Sequence, residues 1–154
     1  MAFDQPSLKG RALRLLSGRE YSRAELERKL LPFEEEPGSL ALALDDLQAK
    51  GFISEQRVLE SVVHRRASKL GVGRIRQELQ TKGLDPQKVA DAVAELRTTE
   101  EARAKAVWLK KFAAPAQDPA ATGRQMRFLA ARGFSGDVIR RVVKGASDED
   151  AWAG

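Results

Sequence analysis

One short segment occurs three times at a nearly constant step, and nothing else in the chain constrains its fold as strongly. Residues 23–29 read R-A-E-L-E-R-K, residues 76–82 read R-Q-E-L-Q-T-K, and residues 126–132 give a weaker copy, M-R-F-L-A-A-R. The central leucines are Leu26, Leu79 and Leu129, spaced 53 and 50 residues apart. Self-similarity at a fixed step marks a repeat architecture. A unit of about 50 residues buries only a modest core, so neighbouring units must support each other. Stacked helical units make an extended face, which suits a polymeric partner better than a small substrate.

Apolar residues recur every three or four positions between strong stop signals, so nearly every stretch reads as helix. The first helix is expected over 7–17 with Leu8, Ala12, Leu15 and Leu16 inward. The second starts at Ser22 with Glu25 in capping-box spacing, buries Leu26 and Leu30, and ends at Pro32. The third covers 39–50 on Leu40, Leu44 and Leu47, and Gly51 stands where a left-handed stop is wanted. The motif L-Q-A-K-G-F at 47–52 is out of phase with the repeat and reads as a helix stop. The fourth helix is expected over 54–70 on Val58, Leu59 and Val62, broken by Gly71-Val72-Gly73. The fifth buries Ile75 and Leu79 and stops at Gly83. Asp85-Pro86 opens the sixth as cap and first-turn proline, with Val89, Val93 and Leu96 inward. The seventh begins near Thr99 on a stripe of Ala102, Ala106, Leu109 and Phe112. Residues 113–122, with Pro115 and Pro119, read as a linker. The eighth is expected over 122–133, and the ninth over 135–145 on Val138, Ile139, Val142 and Val143. No useful stretch alternates with period two. The expected fold is all-α, with three-helix repeats at 7–51, 54–97 and 99–145. Residues 146–154 read as a flexible acidic tail, with Trp152 as a docking peptide the weaker alternative.

Charge is distributed unevenly. The chain is +5 overall. Residues 1–53 carry 8 basic and 9 acidic side chains, 54–98 carry 9 and 6, and 99–145 carry 10 and 4. A basic C-terminal half suits an anionic partner, either nucleic acid or an acidic protein face. The candidate binding residues follow from this gradient. Arg65, Arg66 and Lys69 close the fourth helix, and Arg74 and Arg76 open the fifth. Arg124, Arg127 and Arg132 lie on the eighth; Arg140, Arg141 and Lys144 lie opposite the valine face of the ninth. Cations at the end of the fourth helix complement its dipole, whereas Arg74 and Arg76 oppose that of the fifth, which favours a binding role for those two. Arginine also suits carboxylate and phosphate partners.

Little recommends catalysis. There is no cysteine, which excludes disulfides, thiolate metal sites and cysteine nucleophiles. His64 is the lone histidine and sits beside Arg65 and Arg66. Gly71-Val72-Gly73 lacks the third glycine of a dinucleotide fingerprint and joins two helices. Asp45-Asp46 and the run Glu34-Glu35-Glu36 lack partners at ligand spacing. No cofactor is expected. No stretch approaches the roughly 20 apolar residues of a membrane helix, and Asp4 and Pro6 do not suit a signal peptide. The expectation is a soluble, cytoplasmic, monomeric protein without a membrane partner. Residues 74–97 fit a helix-turn-helix outline, with Gln87 and Lys88 as candidate base readers. A stand-alone DNA-binding regulator is therefore the alternative reading, resting on phosphate contacts more than sequence reading.

The stretch from Leu44 to Leu84 resembles the RecX family of bacterial regulatory proteins. The resemblance is carried by Leu47, Gly51-Phe52-Ile53, Glu55, the closing Arg65-Arg66, and Arg74-Ile75 followed by Glu78-Leu79 and Gly83. The triplet phasing extends it over most of 8–145. Val58-Leu59 stands where the family usually has an aromatic-alanine pair, and the linker at 113–122 is longer than the family pattern. The resemblance implies three tandem three-helix repeats in a curved, elongated arrangement. It implies binding to RecA and to the RecA–DNA nucleoprotein filament, with inhibition as the usual effect on ATP hydrolysis, strand exchange and filament growth. Single- or double-stranded DNA would be touched through phosphate. The family supplies no catalytic residue and no cofactor.

Overall fold

A computed structural model describes residues 5–145, all helix, turn and loop, with no strand among them. The helices are α1 (Leu8–Gly18), α2 (Arg23–Leu30), α3 (Ser39–Ala49), α4 (Glu55–Arg66), α5 (Val72–Thr81), α6 (Pro86–Arg97), α7 (Glu100–Lys111), α8 (Pro119–Ala131) and α9 (Gly136–Gly145). A 3-10 turn, Leu31–Phe33, follows α2. The expected acidic tail lies outside the described residues.

Side-chain caps set the helix starts. Ser7, Ser54, Asp85 and Asp118 each accept from the backbone N–H three residues on. At α2 the reciprocal box is complete: Glu25 N–H donates to Ser22 Oγ at 3.1 Å, and Ser22 N–H donates to Glu25 Oε1 at 3.0 Å. Glycine sets the stops after α3 and α8. Gly51 and Gly133 have φ of +82° and +88°, and the next N–H donates back to Leu47 and Leu129 respectively. This is the six-to-one bond of a Schellman end. The out-of-phase K-G-F motif is thus a helix stop, as its residues suggest.

Three separate cores lie along the chain. Leu26, Leu30, Leu40, Leu44 and Leu47 centre the first. Val58, Val62, Ile75, Leu79, Val89 and Val93 centre the second. Ala104, Trp108, Leu129, Ile139 and Val143 centre the third. The recurring leucines Leu26, Leu79 and Leu129 are each 0% exposed at the middle of a trio. That placement is the physical reason for the repeat: a fully buried leucine at the centre of each trio tolerates little variation.

Four expectations need correction. The fourth helix ends at Arg66 and not at residue 70; a turn follows in which Leu70 N–H bonds Arg66 O at 2.8 Å. The eighth begins at Pro119, because Asp118-Pro119 repeats the cap-and-proline order of Asp85-Pro86, so the linker is shorter than 113–122. In α7 the buried side is Glu100, Ala104, Val107 and Trp108; Ala102, Ala106 and Leu109 face water. Burying the indole outweighs burying two alanine methyls. Phe112 does reach the third core, edge-on to Phe128 at 5.2 Å. In α1 only Ala12 is fully buried; Leu8, Leu15 and Leu16 pack at the edge of the first core.

Candidate partner-binding surface

Arg74 and Arg76 are two residues apart on α5, so about 200° of helix turn separates them. They consequently open onto different grooves. Arg74 joins Arg66 and Lys69 in a groove across the first two repeats, together with Arg28 and Lys82. Glu25 and Glu78 also line it, leaving five cations against two carboxylates. Arg66 pairs with Glu78 at 3.2 Å and Lys82 with Glu25 at 3.2 Å. Arg28 donates to Thr81 O at 3.2 Å and Arg74 to Ala131 O at 2.8 Å, both keeping exposed side chains. Lys69 is exposed. Arg28 and Lys82 were not singled out from sequence. Arg28 lies in the repeated segment of the first unit, where net charge is slightly negative, and only folding brings it to the groove.

Arg76 belongs to the other groove, with Arg97 and Arg141 at the junction of the second and third repeats. Arg141 is paired with Glu101 at 3.1 Å, and Arg140 is paired with Asp137 on its own helix. Arg65, Arg124 and Arg127 are exposed, while Arg132 lies flat on the Phe128 ring at 3.7 Å. Lys144 is exposed on α9. Of the sequence-nominated cations, Arg66, Lys69 and Arg74 line the first groove, Arg76 and Arg141 line the second, and the other six line neither. Gln87 and Lys88 are both exposed, paired with Asp91 at 2.9 Å and Glu55 at 3.3 Å.

The two repeat junctions are built differently. The first is held by side chains: Lys82 to Glu25, Arg28 to the Thr81 carbonyl, and Arg57 to Glu20 at 2.9 Å. The second is backbone on backbone. Gly71 N–H donates to Arg132 O at 2.8 Å and Gly73 N–H to Gly133 O at 3.0 Å. The buried Glu100 carboxylate, 2% exposed, accepts from Val72 N–H at 3.1 Å and Ser135 N–H at 3.0 Å. It thus caps the starts of α5 and α9 at once, where helix dipoles favour negative charge. Arg103 spans the same seam, donating to Ala67, Leu70 and Leu96 carbonyls. Burial lowers the pKa of this guanidinium, and the nearby Glu100 charge opposes that shift.

Burial alone would raise the pKa of Glu25. The hydrogen bonds from Arg19 and Ser22 N–H and the charge of Lys82 outweigh it and hold the carboxyl at about 2. Its folded pKa is below its unfolded one, so its contribution is complete above the unfolded value and is lost as pH falls toward 2. Thermal melts between pH 5 and pH 2 should show a loss of about 1–2 kcal/mol that Glu25→Gln lacks, solvent screening having reduced the full linkage value.

Sequence profiles of the RecX three-helix domains match in order: the first over residues 9–37, the second over 54–93 and the third over 99–143. The chain belongs to the RecX family. A protein of Leptothrix cholodnii called Regulatory protein RecX is 52% identical over 151 residues, covering 97% of this chain and 96% of its own. The Regulatory protein RecX of Ralstonia nicotianae is 48% identical, covering 91% and 88%. The fold is shared with the crystal structure of RecX from Lactobacillus salivarius, with a TM-score of 0.76 at 20% identity, covering 91% of this chain and 94% of that one. The first-domain match stops before α3, yet α3 supplies Leu40, Leu44 and Leu47 to the first core and so completes that RecX trio. Among the described residues no helix is long and apolar enough to cross a membrane, and no group of side chains could hold a metal ion.

Proposed function

We propose that this RecX family chain binds RecA and the RecA–DNA filament, chiefly through the groove of Arg28, Arg66, Lys69, Arg74 and Lys82. The observation that carries the reading is this cation-rich groove, in a chain whose relatives are named as regulatory proteins. The groove spans a repeat junction, so one molecule contacts acidic protein surface or DNA phosphate over an extended length. Seated across neighbouring RecA protomers, it holds them in one relative orientation. That opposes the rearrangement that cooperative ATP hydrolysis and filament growth require, and the effect is inhibition of ATPase and strand exchange.

The test is RecA ATPase on single-stranded DNA with substoichiometric amounts of this chain, where the reading requires loss of turnover. Mobility shift on duplex DNA with and without RecA separates the alternative. A stand-alone regulator shifts a preferred sequence without RecA, and that result would replace the present reading.

The geometry also ranks the charges. Lys69→Glu should weaken filament binding about fivefold while circular dichroism stays unchanged, since this side chain is exposed and holds no repeat junction. Arg140→Glu with Arg141→Glu should weaken it less, because Asp137 and Glu101 already offset those cations. Filament co-sedimentation across a salt series measures both.

A further inference from the structure

A second groove, in the first repeat between α1 and the end of α2, plays no part in the reading above. Leu15, Leu30 and Phe33 form its apolar floor, and Arg11, Arg14 and Lys29 form its rim. No acidic side chain lines it among the described residues. Phe33 is 48% exposed, with the Arg11 guanidinium stacked on its ring at 3.8 Å. A half-exposed aromatic ring beside three cations is complementary to a short acidic segment with one large apolar anchor. Glu34, Glu35 and Glu36 line the adjoining groove that shares Arg11 and Phe33, so the cations on the side away from them, Arg14 and Lys29, carry the attraction. The chain carries such a segment: Asp148-Glu149-Asp150-Ala151-Trp152. Its other tryptophan, Trp108, is 1% exposed in the third core.

We propose that segment 148–152 of one copy docks in the Arg11–Arg14–Lys29 groove of the next, head to tail. The donor is a second copy: residues 146–152 extend about 25 Å at most, and the third repeat packs on the second through the Glu100 seam, with the second repeat standing between it and this groove in the chain. A contact between different patches is head to tail, so it propagates from copy to copy as an open chain unless its rotation closes a ring. One short segment buries too little area for a stable dimer, so dilute protein stays monomeric. Copies held side by side on any polymer meet at high effective concentration, and there the contact forms. The inference concerns the chain's affinity for itself and does not depend on RecA.

The chain has no cysteine, so engineered thiols report the contact cleanly. Full-length Pro6→Cys and Ala151→Cys are mixed under mild oxidation; Pro6 lines the groove and is exposed. Leu109→Cys mixed with Ala151→Cys gives the collision background, since Leu109 is an exposed residue of the third repeat. The expected mixed disulfide is about tenfold above that background and falls in about 0.5 M salt. Arg14→Glu and Lys29→Glu in the Pro6→Cys partner should return the yield to background. The Pro6→Cys/Ala151→Cys double variant should give a ladder of oligomers. Yield at background, yield indifferent to the charge reversals, or a double variant that closes as a monomer would each overturn the proposal.

Discussion

Glu100→Ala should cost about 3 kcal/mol, the loss of two hydrogen bonds to one buried charge. Removing the carboxylate orphans Val72 N–H and Ser135 N–H together, in a site 2% exposed. It also takes away the charge that opposes the burial-lowered pKa of Arg103. The loss should fall on the second and third repeats, whose seam this residue closes, and spare the first. Intrinsic fluorescence of Trp108, in the third core, should report melting about 10 °C earlier, while hydrogen exchange at Leu26 and Leu44 stays slow. Glu100→Gln separates charge from shape. Its single amide oxygen can serve one N–H, and its amino group faces the other, so about half the loss should persist. Wild-type stability in the alanine variant would mean that water replaces the carboxylate without cost.

Gly71→Ala should be comparably severe for a steric reason. A Cβ there would stand 2.3 Å from Phe134 N and 2.4 Å from the Gly133 carbonyl carbon. Both are backbone atoms and cannot rotate away, so the seam must open or the chain must strain, at about 3 kcal/mol. Gly18→Ala is the matched control, with nothing within 4 Å of the new methyl; there alanine should be neutral or slightly stabilising. Chemical denaturation of the pair decides the matter: similar midpoints for the two variants would show that the backbones do not meet as described.

Much of the fold was legible because its determinants are local. Ser22 with Glu25, Asp85 with Pro86, and Gly51 announce their helix ends within four residues of sequence. The leucine repeat marked the middle helix of each trio and its buried centre. What stayed hidden depended on neighbours distant in sequence. Gly71-Val72-Gly73 read only as a helix break, yet its two glycines admit the backbone of residues 132–133. Glu100 was not singled out in the sequence, since nothing near it shows that residues 72 and 135 converge on it. The α7 stripe was misphased because alanine at 102 and 106 counts as apolar in any pattern, whereas burying Trp108 fixes the rotation. The candidate cations were nominated from charge and helix position, so the opening of Arg74 and Arg76 onto different grooves, and the contribution of Arg28, awaited the packing of helices about 50 residues apart.

The shared carboxylate also has a consequence for biosynthesis. Val72 N–H opens α5 but finds its acceptor 28 positions later. A nascent chain that has released only its first 97 residues therefore presents a middle trio with an uncapped helix and a bare glycine edge. That trio can be finished only after its successor begins to emerge, so the last two units should acquire protection from proteolysis together during translation, and the first unit before either.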